Sequence, residues 1–303
     1  VSATRSRLTT LSAFLSVALI AASAACVPTG PTVDEYRAKS PTLAKADRER
    51  VLRIGVQDQL PLMSEHDQAT DKWTGFEVQI ATLLAHQLGF TRPESYQFIR
   101  LTTEKRISAL QSGEVHLVVA DFTVTDERRK LVRFAGPYFL TTPEIMIRRT
   151  DQDKIKTIDQ LKQVKVCTTG GSTSAEVLTK YGVPHSLLAK GAECAEGVRN
   201  GTYDAHCTDD VAIAGRVHRF PEFAKVDMPF SDTEPLGVGL PLDDPYLEGL
   251  VAHYLKKQLD LGDRSQWQAA YDANLQVVLG PKQQPPLFPG YPVLRDHDDD
   301  QRR

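Results

Sequence analysis

From Val51 onward the apolar positions change period in a regular way. Leu52–Val56 is a short run that reads as a buried strand, and Phe76–Leu88 places Ile80, Leu83, Leu84 and Leu88 on one helical face. Tyr96–Leu101 predicts a second strand, Glu104–Gln111 a helix, and Val115–Ala120 a third strand. A second run of the same kind follows: strand Val164–Cys167, a helix opened by a capping-box pattern at Thr173-Ser-Ala-Glu176, and strand Ser186–Ala189. It continues with helix Glu193–Asn200, strand Ala205–Thr208 and helix Asp209–Arg216. Strands alternating with helices imply parallel, doubly wound sheets. The expected fold class is therefore α/β, with two lobes of similar size.

Two Pro-bearing segments, Gly136–Pro143 and Asp232–Leu236, separate the runs and predict two hinge strands. Leu247, Leu250, Val251, Tyr254 and Leu255 mark an amphipathic helix, and Trp267, Tyr271 and Leu275 another, both expected to return to the first lobe. The division expected is residues 48–137 with 236–280 for lobe one, and 143–231 for lobe two. Residues 281–303, Pro-rich and then Asp/Arg-rich, read as a mobile tail.

The N-terminus carries a different signal. Arg5 and Arg7 precede an apolar stretch, Leu11–Ala22, too short to span a bilayer, and residues 1–25 read as a signal peptide. Its end, Ser23-Ala-Ala-Cys26, resembles the lipobox of bacterial lipoproteins, which implies a lipidated Cys26 and an anchored, extracytoplasmic protein. Ser23 departs from the aliphatic residue usual there; simple cleavage after Ala25 is the alternative. Residues 26–47 read as a tether, ending in a short helix near Leu43–Arg50.

A formal net charge of −3 over 303 residues, with no basic cluster, gives no case for nucleic acid. Of four cysteines, Cys26 is taken by the lipid, which leaves Cys167, Cys194 and Cys207 for one internal bridge at most. No His/Cys spacing suggests a metal, and neither metal nor cofactor is expected.

The most informative chemistry is Thr123-Val-Thr-Asp-Glu-Arg128. It leaves the end of a predicted buried strand, and Thr125-Asp-Glu opens a short helix. A hydroxyl, free backbone N–H groups and a guanidinium converge where open α/β sheets bind ligands, and an Arg fork matches a carboxylate.

With Arg53-Ile-Gly-Val56, Gly75-Phe-Glu-Val78, Ile107–Gly113, Phe134–Phe139, Gly171-Ser-Thr-Ser174, Asp204–Asp210 and Gly237-Val-Gly-Leu-Pro241 in matching order, the chain resembles family 3 of the bacterial extracellular solute-binding proteins. These are polar amino-acid receptors of ABC importers. The resemblance implies two α/β lobes joined by two strands, a periplasmic-binding-protein-like fold of type II, closing on a ligand. It implies that Arg128 and Thr123 hold the ligand's α-carboxylate together with backbone N–H groups at Ser172 and Thr173, and that Asp209 takes the α-ammonium. A capping role is the plainer reading of Asp209, and a solvated one of Asp210. Asp121 stands where the family has a small or neutral residue; its carboxylate would either add to ammonium binding or bias the side-chain pocket against anions.

Side-chain selectivity is expected from Gln57–Met63, including Gln57, and from Thr102 and Thr103. Arg100, Lys105 and Lys72 are the cations within reach, and Trp73 is either a shield or packing. Family members with matching cysteines encourage a Cys167–Cys194 bridge; Cys167–Cys207, across adjacent strands, is the rival. The expected partners are a polar L-amino acid of the glutamine, glutamate, asparagine or aspartate class, a membrane permease with its ATPase, and the membrane through the lipid, with the protein a monomer. A sensor lipoprotein signalling to a membrane partner would have the same cleft. Asp121 and Asp209 as a catalytic pair would make a dehydratase on this fold.

Overall fold

The computed structural model of this protein describes residues 30–230 and 233–296, together with Ser2. The signal peptide and Cys26 lie outside these residues. Helices α1 (Val33–Lys39) and α2 (Pro41–Glu49) lead into strand β1 (Leu52–Val56). Three short strands follow, β2 (Gln59–Leu60), β3 (Ser64–Asp67) and β4 (Lys72–Thr74), then α3 (Phe76–Gln87), β5 (Tyr96–Arg100), α4 (Lys105–Gln111), β6 (Leu117–Val118) and α5 (Asp126–Arg129). β7 (Arg133–Thr141) crosses into β8 (Pro143–Arg148), and α6 (Ile158–Leu161), β9 (Val166–Thr169), α7 (Thr173–Lys180), β10 (His185–Leu188), α8 (Gly191–Asn200), β11 (Ala205–Asp209), α9 (Asp210–Arg219) and β12 (Phe223–Val226) build the second lobe. β13 (Glu234–Leu240) returns the chain to α10 (Pro245–Leu261), α11 (Gln266–Asn274) and α12 (Gln276–Leu279).

The two main sheets share one plan. The first runs β5-β1-β6-β13-β7 and the second β10-β9-β11-β8-β12. In each, three parallel strands are followed by one antiparallel strand, β13 or β8, and then by an edge strand antiparallel to that one. The fold is α/β in two lobes, with β7–β8 and β13 as the crossings.

The first core gathers around Phe76, which meets Trp267 edge-on at 5.6 Å, while Trp267 stacks on Tyr271 at 5.4 Å. Burying each such ring contributes roughly 1.5–3 kcal/mol. The indole Nε1 of Trp267 is satisfied by donating to the carbonyl of Tyr138 at 2.8 Å.

Several expectations change. Val115–Ala120 pairs as a strand only over Leu117–Val118. β7 extends to Thr141, past the boundary placed at 137. The three-stranded sheet β2-β3-β4 went unseen, because its strands are too short to show a period.

The described part of the tether, from Val33, is two helices packed on lobe one. Leu43 and Ala46 are fully buried in the core. One carboxylate ties this segment down: Asp244 Oδ2 accepts from Ser40 Oγ at 2.6 Å and Thr42 N at 3.1 Å, while Oδ1 caps α10 at Leu247 N, 2.8 Å. The tail is likewise docked as far as it is described. Val33 and Arg295 exchange backbone bonds with neighbours across the two termini, Leu294 is buried, and Tyr291 Oη donates to the carbonyl of Phe134 at 2.9 Å.

Candidate functional site

The cleft between the lobes is lined by the carboxyl ends of the parallel strands. Strand β6 delivers Ala120 to Thr123, and the segment after it is pinned to β13 by bonds from Val124 N to Pro235 O (2.8 Å) and from Gly237 N to Phe122 O (3.0 Å). Thr125 caps α5, accepting from Arg128 N at 3.2 Å. The Arg128 guanidinium is turned inward and buried. It donates to Thr123 O at 2.7 Å and, across the cleft, to Gly171 O at 3.0 Å. Arg106 lies on the same wall, donating to the carbonyls of Thr103, Ala120 and Asp121. The ring of Phe122 carries both cations, at 4.5 Å from Arg106 and 5.5 Å from Arg128.

From lobe two come Ser172, Thr173 and Asp209. Ser172, not Thr173, caps α7: its Oγ accepts from Ala175 N at 3.3 Å. The capping box expected at Thr173 with Glu176 is therefore displaced by one residue, which frees the Thr173 hydroxyl to face the cleft. Asp209 stands at the N-cap position of α9, yet its side chain makes no capping bond. It is buried, with Oδ1 unpartnered, and it faces the Asp121 carboxyl, whose Oδ1 is likewise unpartnered. Burial first, then the charge of Asp121, pushes the pKa of Asp209 well above the carboxylate range. Asp121 sits at φ +50°, a conformation that suits few side chains, and burial raises its pKa too. Its backbone N–H donates to Glu77 Oε1 at 2.6 Å.

Glu77, Arg106 and Glu234 were missed in the sequence. Glu77 was visible as an acid on the apolar face of α3, among Phe76, Ile80 and Leu84. It is fully buried, bonded by Tyr138 Oη at 2.5 Å, and desolvation carries its pKa up to about 8. Glu234 left no sequence signal. Its Oε2 accepts from Thr123 Oγ1 at 3.0 Å and Thr173 Oγ1 at 2.6 Å, so one carboxylate oxygen from the hinge joins hydroxyls of both lobes.

Among these groups lies a small cavity of about 40 Å³ whose polar lining includes Arg106, Asp121, Thr123, Ser172, Thr173 and Asp209. Gln57 and Thr103 border it and also the wider space beyond, with Gln57 Nε2 donating to Ala120 O at 3.4 Å. Of the cations considered for selectivity, Arg100 reaches that space while Lys72 and Lys105 do not line it. Trp73 is packing: it stacks on His66 at 4.3 Å beside Phe98. Asp210 is no solvated bystander; its Oδ1 accepts from Thr141 Oγ1 at 2.6 Å where β7 passes into β8.

Cys167 and Cys194 are disulfide-bonded, Cα atoms 5.9 Å apart, and Cys207 is free and buried. The rival Cys167–Cys207 pairing is thereby set aside. No cluster of His, Cys, Asp or Glu among the described residues could hold a metal ion. No helix among them is long and apolar enough to cross a membrane.

Two lobes, two crossings and a cleft carrying opposed charges define a clamp-like binding protein. Residues 52–288 match the bacterial extracellular solute-binding proteins, family 3, and the chain belongs to that family. It is a family of binding proteins rather than enzymes. The glutamine-binding protein of Geobacillus stearothermophilus is 30% identical over 213 residues, 69% of this chain and 80% of that one. The ABC transporter glutamine-binding protein of Bacillus subtilis is 27% identical over 249 residues, 81% and 90% of the two chains. The glutamate-binding protein of Corynebacterium glutamicum is 28% identical over 184 residues, 56% of this chain and 61% of that one. Among solved structures, an ancestral arginine-binding protein bound to glutamine aligns with a TM-score of 0.66 at 28% identity, covering 76% of this chain and 98% of the other.

Proposed function

We propose that this protein is an extracytoplasmic receptor that binds one polar L-amino acid and presents it to an ABC importer, held at the membrane by a lipid on Cys26 and working as a monomer. The observation that carries the reading is the placement of two buried, oppositely disposed groups on the two lobes: Asp209 lines the small cavity, and Arg128 lies just behind its Thr123 wall, bonded to Thr123 O and, across the cleft, to Gly171 O. An α-amino acid has a carboxylate and an ammonium about one bond apart from a common carbon, and only a site with both charges in reach pairs both ends. In this reading Arg128 and Thr123, with the backbone N–H groups at Ser172 and Thr173, take the carboxylate. Asp209 and Asp121 take the ammonium, whose positive charge offsets the repulsion between the two carboxyls. Glu234 occupies the two threonine hydroxyls in this structure, so ligand entry requires its side chain to yield them.

The relatives named for glutamine and glutamate support the ligand class, and the family's binding function supports a receptor over a dehydratase. Calorimetric titration of the purified protein with each of the twenty L-amino acids tests it. Saturable binding of at least one polar amino acid is expected. Binding confined to sugars or metal chelates, or turnover of a bound acid, would end the proposal.

A further inference from the structure

The cleft continues past the head-group cradle. Beyond Gln57, Thr103 and Gly191 it opens into a cavity of about 300 Å³ whose charged wall is Asp58, Arg100, Lys190 and Arg216. Three cations face one carboxylate there, the reverse of the acid-rich cradle. Arg216 alone of these four also borders the cradle itself.

Arg216 is nearly fully buried, at 5% exposure. Its Nη2 makes a long bond to the carbonyl of Gln59 across the cleft, 3.3 Å, and its Nε has no partner. Glu65, the acid whose charge acts on it, is engaged by both terminal nitrogens of Arg219. No ion pair to Arg216 occurs among the described residues. Guanidinium does not shed its charge in a protein, and a buried charge without a counter-charge is costly. The backbone around it leaves little slack: a Cβ on Gly215 would strike the carbonyl oxygen of Pro61 on the opposite lobe. An anion between the lobes is what this arrangement lacks.

Helix geometry sets the reach. Arg216 follows Asp209 by seven residues, two turns along one face of α9, or roughly 10 Å of rise. Long side chains on a helix lean toward its N-terminus, which brings the guanidinium back toward Asp209. A ligand whose ammonium rests on Asp209 would extend its side chain to Arg216.

We propose that Arg216 is the specificity-determining residue of this site and receives a side-chain carboxylate, so that the ligand is an acidic amino acid, aspartate or glutamate, rather than its amide. The inference rests on the amino-acid receptor reading above. An amide would fill the same volume and leave the guanidinium without a counter-charge. Relatives named for glutamine and for glutamate leave this choice open, and the residue itself makes it.

Calorimetry on the full chain with L-glutamate, L-aspartate, L-glutamine and L-asparagine decides the matter. Wild-type protein should bind its better acid at least 30-fold more tightly than the matching amide, the smallest effect expected for pairing a buried charge. Arg216→Gln should lose that preference, its acid affinity falling by much more than its amide affinity, and Arg216→Lys should retain part of it. An amide bound as tightly as its acid by wild-type protein overturns the proposal, and so does an unchanged acid-to-amide ratio in a folded Arg216→Gln. If that variant fails to fold, the wild-type ranking still decides. Failure of every amino acid to bind would instead count against the receptor reading, so the two failures are distinct.

Discussion

The two lobes are built on the same strand order but are braced by different means. Lobe one draws on the chain's ends: α1 and α2 before its first strand, α10 and α11 after its last, and the segment through Arg295 lying across the termini. Its brace is polar, a buried carboxylate at Asp244 that holds both α2 and α10. Lobe two has no such additions. Its core, like that of lobe one, divides into two clusters, both smaller than the main cluster of lobe one, and one of them contains the covalent brace between Cys167 and Cys194. A small core gains most from a cross-link, because less apolar area is available to offset chain entropy. Neither brace touches the ligand cradle. Stability and binding are therefore separable here, and each lobe can be weakened without altering what the cleft recognises.

The largest separable effect should come from lobe two. A bridge across 27 residues of sequence restricts the unfolded chain by about 3.5 kcal/mol. Replacing Cys167 and Cys194 together by Ala should lower denaturant stability by that order, with ligand affinity preserved while the protein remains folded. In lobe one, Asp244→Ala leaves a hydroxyl and two backbone N–H groups without their acceptor. A loss of about 2–4 kcal/mol is expected, read as an earlier melt. Truncation before Pro31 should be tolerated, whereas truncation before Val51 should not, because it removes the buried Leu43 and Ala46.

The cradle adds a pH dependence that the braces lack. Glu77, Asp121, Asp209 and Glu234 all have pKa values raised by burial, Glu77 to about 8. The folded state thus holds protons that the unfolded chain has released. This contribution is complete below the unfolded values near 4 and is lost as pH rises toward 8. Ligand-free protein should lose several degrees in Tm between pH 5 and pH 8. An arriving ammonium favours ionised Asp121 and Asp209, so binding should release protons, visible as a dependence of binding heat on buffer ionisation enthalpy. A pH-independent Tm and no proton release would show that these acids are already ionised. The smallest effect belongs to Glu65 and Arg219, a surface pair joining β3 to α9. Arg219→Ala should cost less than about 1 kcal/mol in either stability or closure.

The parts of this molecule that were legible in the sequence are those where one element decides the outcome. The runs Leu52–Val56 and Ala205–Thr208 announce buried strands, Tyr96–Leu101 a strand that lies at the sheet edge, and Leu247 to Leu255 a core helix, because period alone fixes which face is apolar. The motif from Thr123 to Arg128 was legible because its strand end, cap and guanidinium are contiguous. What stayed hidden depends on distant partners. Residues 33–49 look like linker since only Leu43 and Ala46 are apolar and deeply buried; Asp244, far along the chain, makes them a fixed part of lobe one. Glu234 and Arg216 read as ordinary charges on a hinge and a helix, and the cleft gives them their setting only when the lobes meet.

The central claim is that Arg128 and Asp209 act from opposite lobes on opposite ends of one amino acid. Thermal denaturation of wild-type protein, Arg128→Ala and Asp209→Asn, each with and without saturating ligand, tests it most directly. Removing one partner of such a buried charged contact costs ~2–5 kcal/mol of binding. Each variant should lose the ligand-induced rise, measured from its own ligand-free melting temperature, that wild-type protein shows. A full ligand-induced rise in Arg128→Ala would contradict the account, because the carboxylate anchor would then lie elsewhere.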